Sequence, residues 1–254
     1  MSKVIKNPKL DAMLARASGL KGEEIIPYID HYLDNHPYTG GYVVHDGEKQ
    51  PDEFFHPSGD TLRCKRELFF RLSPSFVLER EVISPQLRRT FKIGQAVHSM
   101  VQAWFADFKN HPGYPTLVGE EVSVFEPNIG IRGSVDVVVT FPSGETKPIE
   151  IKTINSREFA RLTAPKPLHK LQLQTYMYLL GHDEGIVLYI EKDYPHEMKE
   201  FTITAQAPHD VFRRWIKVRE AIIANDCSGL EFECKPGSTT EERCVARNIC
   251  RRVL

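Results

Sequence analysis

Residues 131–154, IRGSVDVVVTFPSGETKPIEIKTI, decide the fold. The valine run and the KPIEIKTI run both read as strands, rich in β-branched residues and broken by a Pro-Ser-Gly turn. Side chains alternate between faces along a strand. Val135, Val137, Val139 and Phe141 are therefore expected on one face and Asp136 on the other, with Glu150 and Lys152 sharing a face of the second strand. Pro142 suits the first position of a type I turn, and Gly144 suits the left-handed residue that closes a three-residue loop. That loop sets Phe141 opposite Glu145, so Asp136 lies directly across from Glu150, with side-chain roots about 4.5–5.5 Å apart.

Working outward, residues 85–108 carry Ile93, Val97, Val101, Trp104 and Phe108 at helical spacing. Strands are expected at 120–126, 131–141, 147–154, 185–192 and 199–204, with a helix at 168–181 ending on a glycine and a last long helix at 209–225. This order predicts an α/β fold, a mixed β-sheet of about four or five strands flanked by helices. Residues 1–50 (KLDAMLARA, EEIIPYIDHYLDN, then HPYTGGYVVHDGEK) are expected to form a helical and looped N-terminal appendage, and residues 51–254 the main domain.

The 254 residues are enough for a real core, and 41% hydrophobic with 26% charged residues is ordinary for a globular protein. A net charge of -1 excludes wrapping of nucleic acid by bulk charge, so any phosphate-binding surface must be local. The N-terminus lacks the apolar stretch of a secretory signal, and no apolar run is long enough to span a membrane, so a cytoplasmic location is expected. Five cysteines in such a chain are more readily thiols or metal ligands than a disulfide framework.

Two carboxylates facing one another across a strand pair repel unless a positive charge lies between them. Lys152 can supply it alone, as an ion triad worth roughly a kilocalorie or less. A divalent ion supplies it better, since Mg²⁺ takes one or two protein carboxylates and fills its shell with water and phosphate oxygens. Spacing alone leaves both readings open.

An acid in a strand followed after a turn by Glu-x-Lys resembles the core motif of the PD-(D/E)XK nucleases, here Asp136…Glu150-Ile151-Lys152, with Val135 where the motif's name has proline. Gly94-Gln-Ala-Val-His98 resembles the G-x-x-x-H motif of the RecB-like branch, whose histidine binds the catalytic metal. Gln172-Leu-Gln-Thr-Tyr176 resembles that branch's Q-x-x-x-Y motif; residues four apart share a helix face, and Gln174 with Tyr178 repeats the spacing. Without the resemblance, His98 reads equally as a satisfied helix histidine and Tyr176 as core.

Cys64 stands before the histidine motif, and Cys234, Cys244 and Cys250 close the chain. That placement resembles the RecB-like exonucleases of CRISPR adaptation and AddB-type nuclease domains, in which four thiolates hold a [4Fe–4S] cluster. The usual C-x2-C is missing: Glu241 stands three residues before Cys244, so either KPGSTTEER is an inserted loop or the cluster is lost. Cys227 is then a spare or substitute ligand. A zinc site and free thiols are the alternatives.

The resemblance implies a restriction-endonuclease-like core and a Mg²⁺- or Mn²⁺-dependent exonuclease acting on single-stranded DNA ends or overhangs. Asp136, Glu150, His98 and the carbonyl of Ile151 would hold the ion, and Lys152 would position the attacking water. Gln172 and Tyr176 would hold substrate and site residues, and recombination or CRISPR-adaptation proteins are possible partners. Local positive surface is expected from Arg63, Lys65 and Arg66, from Arg88, Arg89 and Lys92, and from Lys166 and Lys170. The alternatives are a non-catalytic DNA-end binding module, a sequence-specific endonuclease of the same superfamily, and a purely structural iron–sulfur or zinc protein.

Overall fold

The computed structural model of the chain describes residues 22–35, 53–76, 78, 85–193, 196–235 and 237–251. The KLDAMLARA and HPYTGGYVVHDGEK stretches lie outside them. In chain order the helices are α1 (Ile26–Asn35), α2 (Pro57–Asp60), α3 (Lys65–Leu72) and α4 (Pro85–Phe108). Then come strands β1 (Thr116–Glu126), β2 (Ile131–Thr140) and β3 (Thr146–Ile154), followed by helices α5 (Ser156–Ala160) and α6 (Pro167–Leu180). Strands β4 (Glu184–Glu191) and β5 (Met198–Thr204) complete the sheet, and α7 (His209–Ala224), α8 (Thr239–Glu242) and α9 (Arg247–Cys250) follow.

The five strands lie in sequence order, antiparallel except for the parallel β3–β4 pair. That single parallel step needs a crossover, which α5 and α6 supply. Alternation along the strands then gives each face its own cover. Val137, Val139, Ile149, Ile151, Ile186 and Leu188 pack against Val101, Phe105 and Phe108 of α4. Val187, Tyr189 and Ile203 on the opposite face pack with Leu173 and Met177 of α6. The first of these cores also takes in Ile25, Tyr28 and Ile29 at the start of α1, from the N-terminal region set apart on sequence.

A separate core joins the chain ends. Leu68, Phe69 and Phe70 of α3 pack with Val211, Phe212, Trp215 and Val218 of α7, and with Cys227, Ala246 and Cys250. Trp215 stacks on Phe55, their rings 5.3 Å apart and nearly parallel at 7°.

Two expectations need correction. Ile93, on the apolar stripe of α4 by periodicity, is 53% exposed, and Leu87 and Phe91 in the same first turns are exposed too. Val135 is grouped with Val124, Val138 and Tyr176, not with Val137 and Val139. The β2–β3 ladder ends at Val137↔Ile149, so beyond it β2 pairs with β1, and at Ile131 with Phe55, and its face no longer tracks β3.

Candidate active site

The hairpin register is the one the loop length implies: Thr140 pairs with Thr146 and Val137 with Ile149. Gly144 adopts φ +95°, a left-handed conformation that costs glycine little. Phe141 N–H donates to the Glu145 carbonyl (2.8 Å) and Gly144 N–H to that of Phe141 (2.9 Å). One step past the last paired residues stand Asp136 and Glu150. Instead of a ladder bond, Asp136 Oδ2 accepts from Ile151 N–H at 2.7 Å. In an extended strand a residue's N–H and C=O point the same way, so the Ile151 carbonyl also faces the Asp136 side.

Both acids are buried, Glu150 at 2% exposure. Glu150 Oε1 accepts two short hydrogen bonds, from Lys152 Nζ (2.6 Å) and Gln172 Nε2 (2.6 Å). Glu150 Oε2 is buried with no hydrogen-bond partner among the described residues. His98, from α4, places Nδ1 3.5 Å from Asp136 Oδ1. The hairpin acids, Lys152, His98 and Gln172 are thus gathered at the end of the β2–β3 pair.

Charge divides unevenly between the two acids. Burial opposes ionisation of Asp136, but His98, Lys152 and the Ile151 N–H outweigh it and hold its carboxyl below the ordinary range. For Glu150, burial and then the Asp136 charge prevail over Lys152 and push it up to about 7. Burial works against the charged forms of His98 and Lys152 as well, yet the carboxylates raise both overall.

Gln172 and Tyr176 form the pair that faces the hairpin. Tyr178 is 51% exposed, and Gln174 lines a groove beside β5. Tyr176 is buried, and burial followed by the Glu150 charge drives its phenol far above its ordinary value, so it stays neutral. Its hydroxyl sits so close to Gly133 that a Cβ there would lie 2.7 Å from the oxygen and 2.9 Å from Cε1. Gly133→Ala is therefore expected to cost roughly 1–3 kcal/mol of stability by overpacking, read as a lower urea midpoint with unchanged slope.

Three neighbours escaped the sequence reading. Gln102, one turn after His98 on α4, donates to the Asp136 carbonyl (3.1 Å) and to Glu121 Oε1 (3.2 Å). Ser134 Oγ donates to Glu121 Oε2 at 2.7 Å. Glu121 has φ +46°, uncommon for a residue with a side chain. The i, i+4 spacing from His98 was the available signal for Gln102; nothing comparable marked Glu121 or Ser134.

The site's donor set fits a divalent cation: two buried carboxylates share one lysine, and one oxygen is left unpartnered. His98, Asp136 and Glu150 do not converge to within 4.8 Å; among the described residues the one acid, histidine or cysteine trio that does is Glu23, Glu145 and Glu184. That trio already has its cation, Lys147 Nζ at 2.7, 3.7 and 2.8 Å respectively.

Cys64, Cys234, Cys244 and Cys250 line one cavity. Glu241, in place of the missing cysteine, lines it too, while its carboxylate accepts from Gly237 N–H and pairs with Arg251. Cys234 reaches the cavity from the far side of residues 235–243. Cys227 is a buried member of the surrounding core and does not line the cavity. Burial and then Cys64 and Cys250 push the Cys234 thiol up, and burial pushes that of Cys244 to about 11. A tetrahedral zinc site would bring sulfurs about 3.8 Å apart, whereas no three cysteine sulfurs of the described residues lie within 4.8 Å of one another.

Much of the expected basic surface is engaged in the fold. Arg63 pairs with Asp60 and Glu67, Lys65 with Glu231 and Glu233, and Lys166 with Glu158. Arg66 is buried. Arg89, Lys92 and Lys170 are exposed; the Arg88 side chain lies outside the described set.

A five-stranded mixed sheet with helices on both faces and paired acids at the end of its inner β2–β3 pair has the form of a nuclease core, and the PD-(D/E)XK nuclease superfamily model matches residues 92–251. The chain belongs to that superfamily. It is 24% identical over 177 residues to the CRISPR-associated exonuclease Cas4 of Saccharolobus solfataricus, covering 69% of this chain and 80% of that protein. The solved structure of SSO0001 aligns with TM-score 0.51 and 22% identity over 82% of this chain and 90% of its own. The alkaline exonuclease LHK-Exo of Laribacter hongkongensis aligns with TM-score 0.50 and 18% identity over 69% and 90%, and has also been solved with dAMP. Among the described residues no helix is long and apolar enough to cross a membrane.

Proposed function

We propose that this chain is a Mg²⁺- or Mn²⁺-dependent deoxyribonuclease that trims single-stranded DNA ends or overhangs exonucleolytically. The observation that carries this reading is Glu150: one oxygen takes both neighbouring donors, and the other is buried, unpartnered and close to a second carboxylate. Asp136, Glu150, His98 and the Ile151 carbonyl are the residues that would hold the ion. An imidazole among them leans the choice toward Mn²⁺. When bound, the ion supplies an acidified water and charge neutralisation at the scissile phosphate.

The chain's own residues do the rest. Lys152 orients the attacking water and offsets charge growing on the phosphoryl oxygens. Gln172 fixes the Glu150 carboxylate from α6, and Tyr176, wedged against Gly133, fixes that helix against β2. Gln102 and Ile151 N–H hold Asp136 by its backbone and its side chain. The names of two relatives, both exonucleases, support digestion from an end, and the dAMP complex of one supports a deoxynucleotide product. The CRISPR-associated name of the other supports DNA-end processing in adaptation or recombination, with proteins of those assemblies as partners.

For the cysteine cavity, Cys64, Cys234, Cys244 and Cys250 are the four thiolates that would hold a [4Fe–4S] cluster. It would tie residue 64 to the chain's last turn.

The deciding experiment is digestion of end-labelled single strands in EDTA, Mg²⁺ and Mn²⁺. Mononucleotides and short oligomers appearing only with the ion are expected. Discrete fragments would make the chain a site-specific endonuclease. Retention of DNA ends without cutting in either metal would make it a binding module.

A further inference from the structure

Arg66 was expected at a phosphate-binding surface and is instead 2% exposed, beneath the cysteine cavity. Its Nε donates to Cys250 Sγ at 3.2 Å. One terminal nitrogen donates to the carbonyls of Cys227 (2.9 Å) and Leu230 (3.2 Å), and the other to that of Cys250 (3.0 Å). The guanidinium lies 4.3 Å from the centre of the Phe232 ring, a cation–π contact that also closes it off from water. One side chain from the second residue of α3 thereby grips four points of the segment 227–250, across 161 to 184 residues of sequence.

A buried guanidinium is costly unless its donors are met and its charge is answered. Carbonyls meet the donors. A thiol sulfur is a weak acceptor, whereas a thiolate is both a good acceptor and a counter-charge. Lysine has no planar fork with which to reach these points at once.

We propose that Arg66 organises the cysteine cage: it fixes Cys250 at the cavity before any iron arrives, and its charge raises the reduction potential of the cluster bound there. Only the redox half rests on the cluster reading. Four thiolates around a cluster make an anionic group, and reduction adds one more electron to it. A positive charge donated to one ligand sulfur favours that electron.

The test compares Arg66→Met and Arg66→Lys with the wild type, each anaerobically loaded and also stripped of iron. In the iron-free chains, hydrogen exchange across residues 227–251 is expected to accelerate at least tenfold in both variants. In the loaded fraction, titrated with dithionite and followed by absorbance, Arg66→Met is expected to shift the one-electron reduction equilibrium at least tenfold, a fall of about 59 mV. Arg66→Lys, which keeps the charge, should move it less than half as far. A residue that merely braced the fold would lower iron content without moving the potential, and that outcome overturns the proposal. Exchange at wild-type rates in both variants also overturns it. Should the methionine variant fail to fold, the lysine variant still reads the loss of the fork by exchange. A wild type without iron and sulfide sinks the cluster reading, and exchange in the same chains then decides whether Arg66 holds Cys250.

Discussion

Replacing Lys152 with alanine is expected to lower metal-dependent cleavage of single-stranded DNA by about 10²–10³-fold or more, with DNA affinity changed by only a few fold. The ammonium sits 2.6 Å from Glu150 and is largely buried, a place from which it offers little to the outer backbone of a bound strand. Phosphate contacts that set affinity are expected instead from exposed basic residues such as Arg89 and Lys170. Single-turnover cleavage with saturating Mn²⁺, beside fluorescence anisotropy of a labelled strand, separates the two quantities. Cleavage and binding lost together, with circular dichroism unchanged, would make Lys152 a binding or structural residue.

Glu150→Gln should abolish cleavage and, at alkaline pH without metal, make the protein more stable. The folded state raises Glu150 from 4.5 to about 7, so between those values it holds a proton that the unfolded chain has released. Stability therefore falls as pH rises through that window, and the full cost stands above pH 7. That rise corresponds to about 3 kcal/mol, and loss of the Lys152 partner takes back part of it. A gain on the order of 2 kcal/mol, or several degrees in Tm, is expected at pH 8, shrinking towards pH 5. Mn²⁺ should raise the Tm of the wild type at pH 8 and leave the variant unmoved. A glutamine variant less stable than the wild type at pH 8 would show Lys152 already neutralises the acid, leaving no place for a cation.

The hairpin was legible because its determinants are local. A proline, a glycine and a three-residue loop fix the register, and register fixes which acids meet. Gln172 and Tyr176 were legible only as one of two equivalent pairs, since spacing on a helix does not say which face meets the sheet; burial of Tyr176 and exposure of Tyr178 distinguish them. Arg66 was misplaced because every partner it has at the cavity lies more than 160 residues away. Charge in a sequence reads as surface until a distant segment covers it. The missing C-x2-C left open whether a loop had been inserted or the cage lost, and the structure brings Cys234 to one cavity with the other three thiols. Glu121 and Ser134 meet Gln102 through a β1–β2 pairing that no motif marks.

The core beneath the cysteines is separate from those that cover the two faces of the sheet. If those cysteines hold the proposed cluster, oxygen, peroxide or iron starvation would strike that core and leave the strands that carry the acids standing. Such a chain would have a perishable latch and a durable blade, and its working life in air would be set by the latch.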